Sequence, residues 1–345
     1  MVQEKVLIGM SGGVDSSVAA LILKEQGFDA AGTTLILCKD ADESTANEAK
    51  SVCDTMGIEH YTVNLKKEFE DIVVKDFIEE YKRGNTPNPC ITCNKYVKFS
   101  LMLDKAKELG FSKIATGHYA RVKQDENGRY LLLKAKDESK DQSYVLSCLT
   151  REQLSHVLFP LGEYTKAEIR EIARNNGFAN ADKADSQDIC FVPDGDYAAF
   201  IEKNGGFISK PGDYIDITGK VLGKHKGVIH YTIGQRKGLG IALGKPAFVL
   251  DKNSDTNTVV LGDEEHLFKR EVLVKDVNFI SIDSLESPMP CQAKLRYRHS
   301  AAPAVISPCG DMVKIVFETP QRAPSSGQTA VFYDGDIVIG GGKIV

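Results

Sequence analysis

Two stretches of the sequence hold residues whose type and spacing can do chemistry. In Thr86-Pro87-Asn88-Pro89-Cys90-Ile91-Thr92-Cys93-Asn94-Lys95, two thiols stand three residues apart, close to Lys95 and Lys98, cations that lower a thiol pKa. The two prolines fix φ and disfavour helix, which predicts a defined loop presenting both thiols together. A third thiol, Cys190, sits in Asp185-Ser186-Gln187-Asp188-Ile189-Cys190-Phe191. A C-x-x-C pair serves as a redox couple, as half of a zinc site or as two ligands of an iron–sulfur cluster. Zinc needs more ligands, and the chain has no second C-x-x-C and no spaced pair of histidines. The other cysteines, Cys38, Cys53, Cys148, Cys291 and Cys309, are scattered and read as structural.

The second stretch is Ser11-Gly12-Gly13-Val14-Asp15-Ser16-Ser17. It falls between an apolar run at 5–10 and a helical pattern at 14–26, so it predicts a strand-to-helix turn. Free N–H groups and a helix N-terminus there form an anion site, and glycines let the backbone approach phosphates. The serines add hydroxyls, and Asp15 either holds Mg²⁺ or organises the loop. The spacing is neither that of a Walker A loop nor G-x-G-x-x-G.

The elements that must position these residues alternate. Strands are predicted at 30–37, 60–64 and 113–116, and helices at 43–56, 69–81, 99–109 and 166–176. That order implies an α/β fold with a doubly wound parallel sheet, ending near residue 200. Beyond Gly205, short alternating runs between Gly, Pro and Asn-Asp clusters suggest small antiparallel barrels, with a break near 267–271. Three domains are therefore expected, at 1–204, 205–268 and 269–345.

The chain has 345 residues, 42% hydrophobic and 26% charged, an ordinary globular composition. No run is long enough to cross a membrane, the start lacks signal and transit patterns, and the cysteines are too sparse for a secreted disulfide scaffold. A cytoplasmic enzyme is expected. The net charge of −5 argues against nucleic acid, but its acidic excess lies in the first 200 residues. Three windows, 81–103, 219–246 and 288–310, contain no acidic residue, and local basic windows suit phosphate contacts.

The SGG-x-DS pattern resembles the PP-loop of ATP pyrophosphatases. Together with TPNPC-IT-CNKYVKF, ATGHYARV, KDQSYVL, SQDICFVP, GKHKGVIHYTIGQRKGLGI and VFYDGDIVIGGG, it makes the whole chain resemble the tRNA-specific 2-thiouridylases of the MnmA/TrmU family. The resemblance implies an N-terminal PP-loop ATP-binding domain, a small central mostly-β domain and a C-terminal β-barrel. It implies ATP and Mg²⁺ as cofactors, and thiolation of C2 of the wobble uridine in tRNAs for Lys, Glu and Gln.

Carried onto this sequence, the resemblance assigns ATP contacts to Gly9, Met10, Ser11, Gly12, Gly13, Val14, Asp15, Ser16, Leu35 and Gly117. It assigns tRNA contacts to His118, Asp141, Gln142, Ser143, Arg296, Tyr297 and Gln328. Cys190 would accept sulfur as a persulfide and Cys93 would resolve it, leaving thiouridine, AMP and a Cys93–Cys190 disulfide. A cysteine desulfurase or sulfur-relay protein would supply the sulfur. Many members have Asp where this chain has Cys90, so Cys90, Cys93 and Cys190 together also match iron–sulfur-dependent thiolases of the superfamily. These hold a [4Fe–4S] cluster and take free sulfide. The competing classes are another PP-loop adenylating ligase and a non-catalytic tRNA-binding sulfur carrier.

Overall fold

The computed structural model describes residues 3–38, 44–183 and 189–345. Five strands, β1 (Lys5–Gly9), β2 (Asp29–Ile36), β3 (His60–Asn64), β4 (Lys113–Thr116) and β7 (Val157–Leu158), form a parallel sheet in the order β3-β2-β1-β4-β7. Alternation along β1 sends its side chains to opposite faces. Val6 and Ile8 meet α1 (Val14–Glu25) and α2 (Ser44–Met56), whereas Leu7 meets Phe99, Met102 and Leu103. The sheet is thus covered on both sides. Chain order reverses at β1, between β2 and β4, and ligands of such sheets bind at the carboxyl ends of the strands there.

A hairpin, β5 (Arg121–Gln124) and β6 (Tyr130–Leu133), leaves this unit and joins the C-terminal sheet through β6. The central sheet has β8 (Gly212–Ile215), β9 (Val221–His225), β10 (Phe248–Asn253) and β11 (Thr258–Gly262), in the order β10-β11-β8-β9. It is not wholly antiparallel as expected, because β8 and β11 pair in parallel. Its core residues Tyr214, Val249 and Val259 share one apolar cluster with Phe77, Val97 and Phe191 of the first unit.

The C-terminal strands are β12 (Phe268–Phe279), β13 (Met289–Lys294), β14 (Ala302–Cys309), β15 (Met312–Arg322), β16 (Thr329–Asp334) and β17 (Ile337–Ile344). They run β12-β15-β14-β13-β16-β17, and β12 pairs again with β17, closing a six-stranded antiparallel barrel. No described helix is long and apolar enough to cross a membrane.

The barrel is locked to the first unit by a buried carboxylate. Glu80, 3% exposed, accepts from Lys343 Nζ of β17 at 2.5 Å, from Asn85 at 2.9 Å and from Arg83 at 3.0 Å. Burial opposes its charge, but those hydrogen bonds and the Lys343 charge outweigh it and hold the carboxyl below its ordinary range. Replacing Glu80 by Ala strands these donors. Because Lys343 still reaches water, the expected loss is about 1–3 kcal/mol. Urea denaturation checks it, and an unchanged midpoint would contradict the lock.

Candidate active site

The loop after β1 is built largely by its own hydroxyls. Ser11 N donates to Ser16 Oγ at 3.2 Å, and the Ser16 and Ser17 hydroxyls donate to Gly13 O at 3.1 and 3.0 Å. Gly13 precedes α1 with no side-chain cap, which leaves the first helical turn open to an anion. Gly12 has φ +69°, a conformation that favours glycine. The side chains of Met10 and Val14 are buried in the core, so these residues offer backbone only. Asn180 Nδ2 pins the loop from outside, donating to Gly12 O and Ser17 Oγ, both at 3.0 Å.

Asp15 organises the loop. Both its oxygens accept from Lys166 Nζ at 2.8 Å, and Oδ1 also accepts from the Tyr119 hydroxyl at 2.7 Å. With its charge compensated, Asp15 is a poor cation ligand. Among the described residues no three His, Cys, Asp or Glu side chains stand together as a metal site. A Mg²⁺ ion at this loop would therefore have to be carried mainly by nucleotide phosphates and water. Gly117, expected near the nucleotide, packs against the loop itself, since a Cβ there would lie 2.8 Å from Asp15 C and Ser16 N. Leu35 is half-buried at the carboxyl end of β2 and packs on the apolar clusters of the first unit.

The cysteine stretch corrects the expected loop. Asn88 Oδ1 accepts from Cys90 N at 3.1 Å and caps a helix beginning at Pro89, because proline at the first helical position needs no N–H partner. That turn runs on into a π-helix, Cys93–Leu101, which holds Cys93, Lys98 and Phe99. Cys93 is 6% exposed, and burial pushes its thiol up to about 11. Cys90 is at the surface, yet burial of its sulfur raises it too.

Cys190 differs. Phe191 turns inward among Phe69, Phe77 and Phe200, with ring centroids 5.3 to 5.7 Å away, and Cys190 is left exposed beside it. A hydrogen bond from Cys38, the Lys98 charge and the N–H groups of Cys190 and Phe191 outweigh burial and draw its thiol down to about 7. Lys98 also acts on Cys90 and Cys93, and Cys190 raises both. The three thiols therefore share one field without converging as metal ligands, and a cluster on Cys90, Cys93 and Cys190 finds no support in this arrangement. The 184–188 part of the Cys190 motif lies outside the described residues.

Of the residues expected at tRNA, Tyr297 is the one left open. It is 38% exposed, its ring centroid lies 5.9 Å from that of Tyr144, and the Lys294 ammonium is 5.7 Å from both rings. Its hydroxyl also senses the charge of Cys90. The others are drawn into internal bonds. Asp141 accepts from Ala135 N, Ser143 N and Ser143 Oγ, and both Asp141 and Ser143 are buried. Gln142 pairs with the Tyr119 backbone in both directions, at 2.8 and 2.9 Å. Gln328 Nε2 donates to Thr86 O at 2.7 Å, clasping the chain before the cysteines. Arg296 Nη2 donates to Ile233 O, Ala323 O and Ser325 Oγ, joining the loop before β10 to the segment after β15.

His118 is half-buried between Phe99 and Phe159, its Nδ1 2.8 Å from Thr116 Oγ1. Burial, aided by Lys98, lowers its pKa to about 3, so it is neutral and no phosphate anchor. Residues the sequence reading missed are Lys166, Tyr119, Asn180 and Cys38. Cys38 alone carried a signal, standing just past β2 at the ligand-binding edge of the sheet.

Two outcomes follow from these contacts. The unfolded chain protonates His118 near 6.5, whereas the folded protein resists until about 3. Its contribution is therefore complete above pH 6.5 and declines as pH falls, with a slope of up to about 1.4 kcal/mol per pH unit. Urea unfolding between pH 7 and 5 should be steeper in pH for wild type than for His118→Gln, and parallel profiles would contradict this. Arg296→Ala should lose about 1–3 kcal/mol of stability by stranding its acceptors. Unchanged stability with weakened RNA binding would instead mark Arg296 as a phosphate contact.

Comparison with known proteins places this geometry. Residues 4–194 match the family described as tRNA methyl transferase HUP domain, 199–263 its PRC-barrel domain and 269–344 the aminomethyltransferase beta-barrel domain. The tRNA-specific 2-thiouridylase MnmA of Acetivibrio thermocellus is 52% identical over 100% of both chains. That of Clostridioides difficile is 52% identical over 99% of this chain and 98% of its own. That of Clostridium perfringens is 49% identical over 100% and 99%. Matched along its full length by these relatives, the chain belongs to the tRNA-specific 2-thiouridylase family.

Proposed function

We propose that this protein is an ATP-dependent enzyme that replaces the C2 oxygen of the wobble uridine of tRNAs for Lys, Glu and Gln with sulfur. The observation that carries the reading is the asymmetry of the thiols. Cys190, drawn to about 7, is substantially thiolate at neutral pH, whereas Cys93, at about 11, is a resting thiol in the same field of Lys98. An accessible nucleophile beside a protonated partner suits a sulfur acceptor with a resolving group.

ATP phosphates would sit at the open first turn of α1, and attack of the uridine O2 on the α-phosphate would release pyrophosphate and make O2 a leaving group. Cys190, loaded as a persulfide by a desulfurase or relay protein, would attack C2 through its outer sulfur and expel AMP. Cys93 would then attack the Cys190 sulfur, releasing thiouridine and leaving a disulfide that a reducing thiol resets. Tyr297 offers a face on which the extruded base can stack, near Cys90 and the Lys294 charge.

The reading is tested by mass spectrometry of wobble nucleosides after incubation with tRNA, ATP, Mg²⁺ and a persulfide donor. Cys190→Ala and Cys93→Ala should each abolish 2-thiouridine. Tyr297→Ala should weaken tRNA use by about 1–3 kcal/mol, the usual worth of base stacking. A methylated product, full activity of the cysteine variants, or activity that needs bound iron absorbing near 400 nm would overturn it.

A further inference from the structure

Behind the loop that follows β1 stand two residues, Thr34 and His60, that belong to none of the motifs carrying the family resemblance. Met10, which enters that loop, is bonded twice to β2. Its N–H donates to Thr33 O at 2.7 Å, and its carbonyl accepts from Thr34 Oγ1 at 3.0 Å. Thr34 is 2% exposed, and its hydroxyl also lies 2.9 Å from His60 Nε2, at the start of β3. A threonine hydroxyl has one proton and a carbonyl can only accept, so that proton goes to Met10 O. The contact with His60 then requires the imidazole to donate, which places its proton on Nε2. Gly32 leaves room for this meeting, because a Cβ there would lie 2.5 Å from Cys53 Sγ, 3.0 Å from Met10 Cγ and 3.4 Å from His60 Cδ2. Burial, aided by the Lys50 charge, holds the imidazole pKa below its ordinary value, so at neutral pH the ring is mainly neutral and its single N–H is committed to Thr34.

We infer that Thr34 and His60 are positioning residues for ATP, a relay that orients the Met10–Ser11 peptide and through it the turn that receives the phosphates. This rests on the reading of the loop as the ATP site. The carbonyl of a trans peptide and the N–H that follows it point in opposite directions. With Met10 O drawn to Thr34, Ser11 N–H is turned the other way, where it donates to Ser16 Oγ at 3.2 Å, and Ser16 Oγ donates in turn to Gly13 O at 3.1 Å. The bonds therefore run in one direction from His60 to the residue that precedes α1, each hydroxyl accepting on one side and donating on the other. Without the Thr34 hydroxyl, the Met10 carbonyl loses its donor and the peptide is free to turn. Met10 is buried, so water does not readily take the place of that donor.

One test reads the relay in the wild-type protein. In full-length protein labelled with nitrogen-15 histidine, long-range nitrogen–proton NMR at neutral pH reports which ring nitrogen of His60 carries the proton, the signal being assigned by its loss in His60→Gln. The Nε2–H form is expected, and the Nδ1–H form would overturn the inference. The second test measures the binding of ATP with Mg²⁺, and of adenosine, to the full-length protein by ligand-observed NMR. Thr34→Val keeps the side-chain shape and removes the hydroxyl, so it should weaken ATP by about tenfold and adenosine, which has no phosphate, by less than about twofold. Thr34→Ser restores the donor and should return ATP to within about threefold of wild type. A merely loosened fold would weaken both ligands alike. That result, or an unchanged ATP affinity in Thr34→Val, would overturn the inference. Wild-type protein that fails to bind ATP would instead overturn the reading of the loop, an outcome distinct from a Thr34→Val protein that binds ATP normally.

Discussion

The Asp15 carboxylate is the contact on which the rest of the site depends. Held by Lys166 and Tyr119, it fixes the phosphate loop to the strand end after β4. From Tyr119 the bonds continue through neighbouring residues of the chain. Gln142 pairs with Tyr119, Ser143 and Tyr144 bond Tyr333 and Thr329 of the barrel, and Gln328, next to Thr329, bonds Thr86 ahead of the cysteines. Hydrogen bonds between short stretches of chain therefore link the loop after β1, the barrel and the segment ahead of the thiol helix. Their buried members have no access to water, so each must stay paired and the geometry they define is rigid.

Such bonds explain why motif residues that look exposed in sequence turn inward. Asp141-Gln142-Ser143, Arg296 and Gln328 are polar residues in loops, and the plain expectation was contact with RNA. Asp141 and Gln142 satisfy backbone groups within the first unit, whereas Arg296 and Gln328 satisfy them at junctions between units, where irregular backbone would otherwise be left without partners. RNA would be met by what this frame presents, namely Tyr297, Lys294 and the thiol edge. The net charge of −5 does not oppose that, because two of the three acid-free windows, 219–246 and 288–310, lie beyond the first 200 residues that carry the acidic excess, and affinity follows the local patch.

Much of the architecture was legible because it rests on local rules. The strand-loop-helix at 5–26 follows from an apolar run, two glycines and a helical pattern, and the parallel order follows from alternation. The thiol helix was misread because Pro89 was taken as a helix breaker when, after Asn88, it marks a helix start. The parallel β8–β11 pair was illegible, since short strands carry no sign of their direction. Lys166 and Cys38 act across 151 and 152 residues, and composition gives no hint of such pairings. The lowering of the Cys190 thiol likewise depends on groups far away in sequence, Cys38 and Lys98.

The central claim is that sulfur passes through Cys190 and is released by Cys93. The most direct measurement is peptide mapping of the protein after a single turnover with persulfide-loaded enzyme, tRNA and ATP in the absence of reductant. The account predicts one Cys93–Cys190 disulfide for each 2-thiouridine formed. Thiouridine formed in full while both cysteines remain reduced would contradict it.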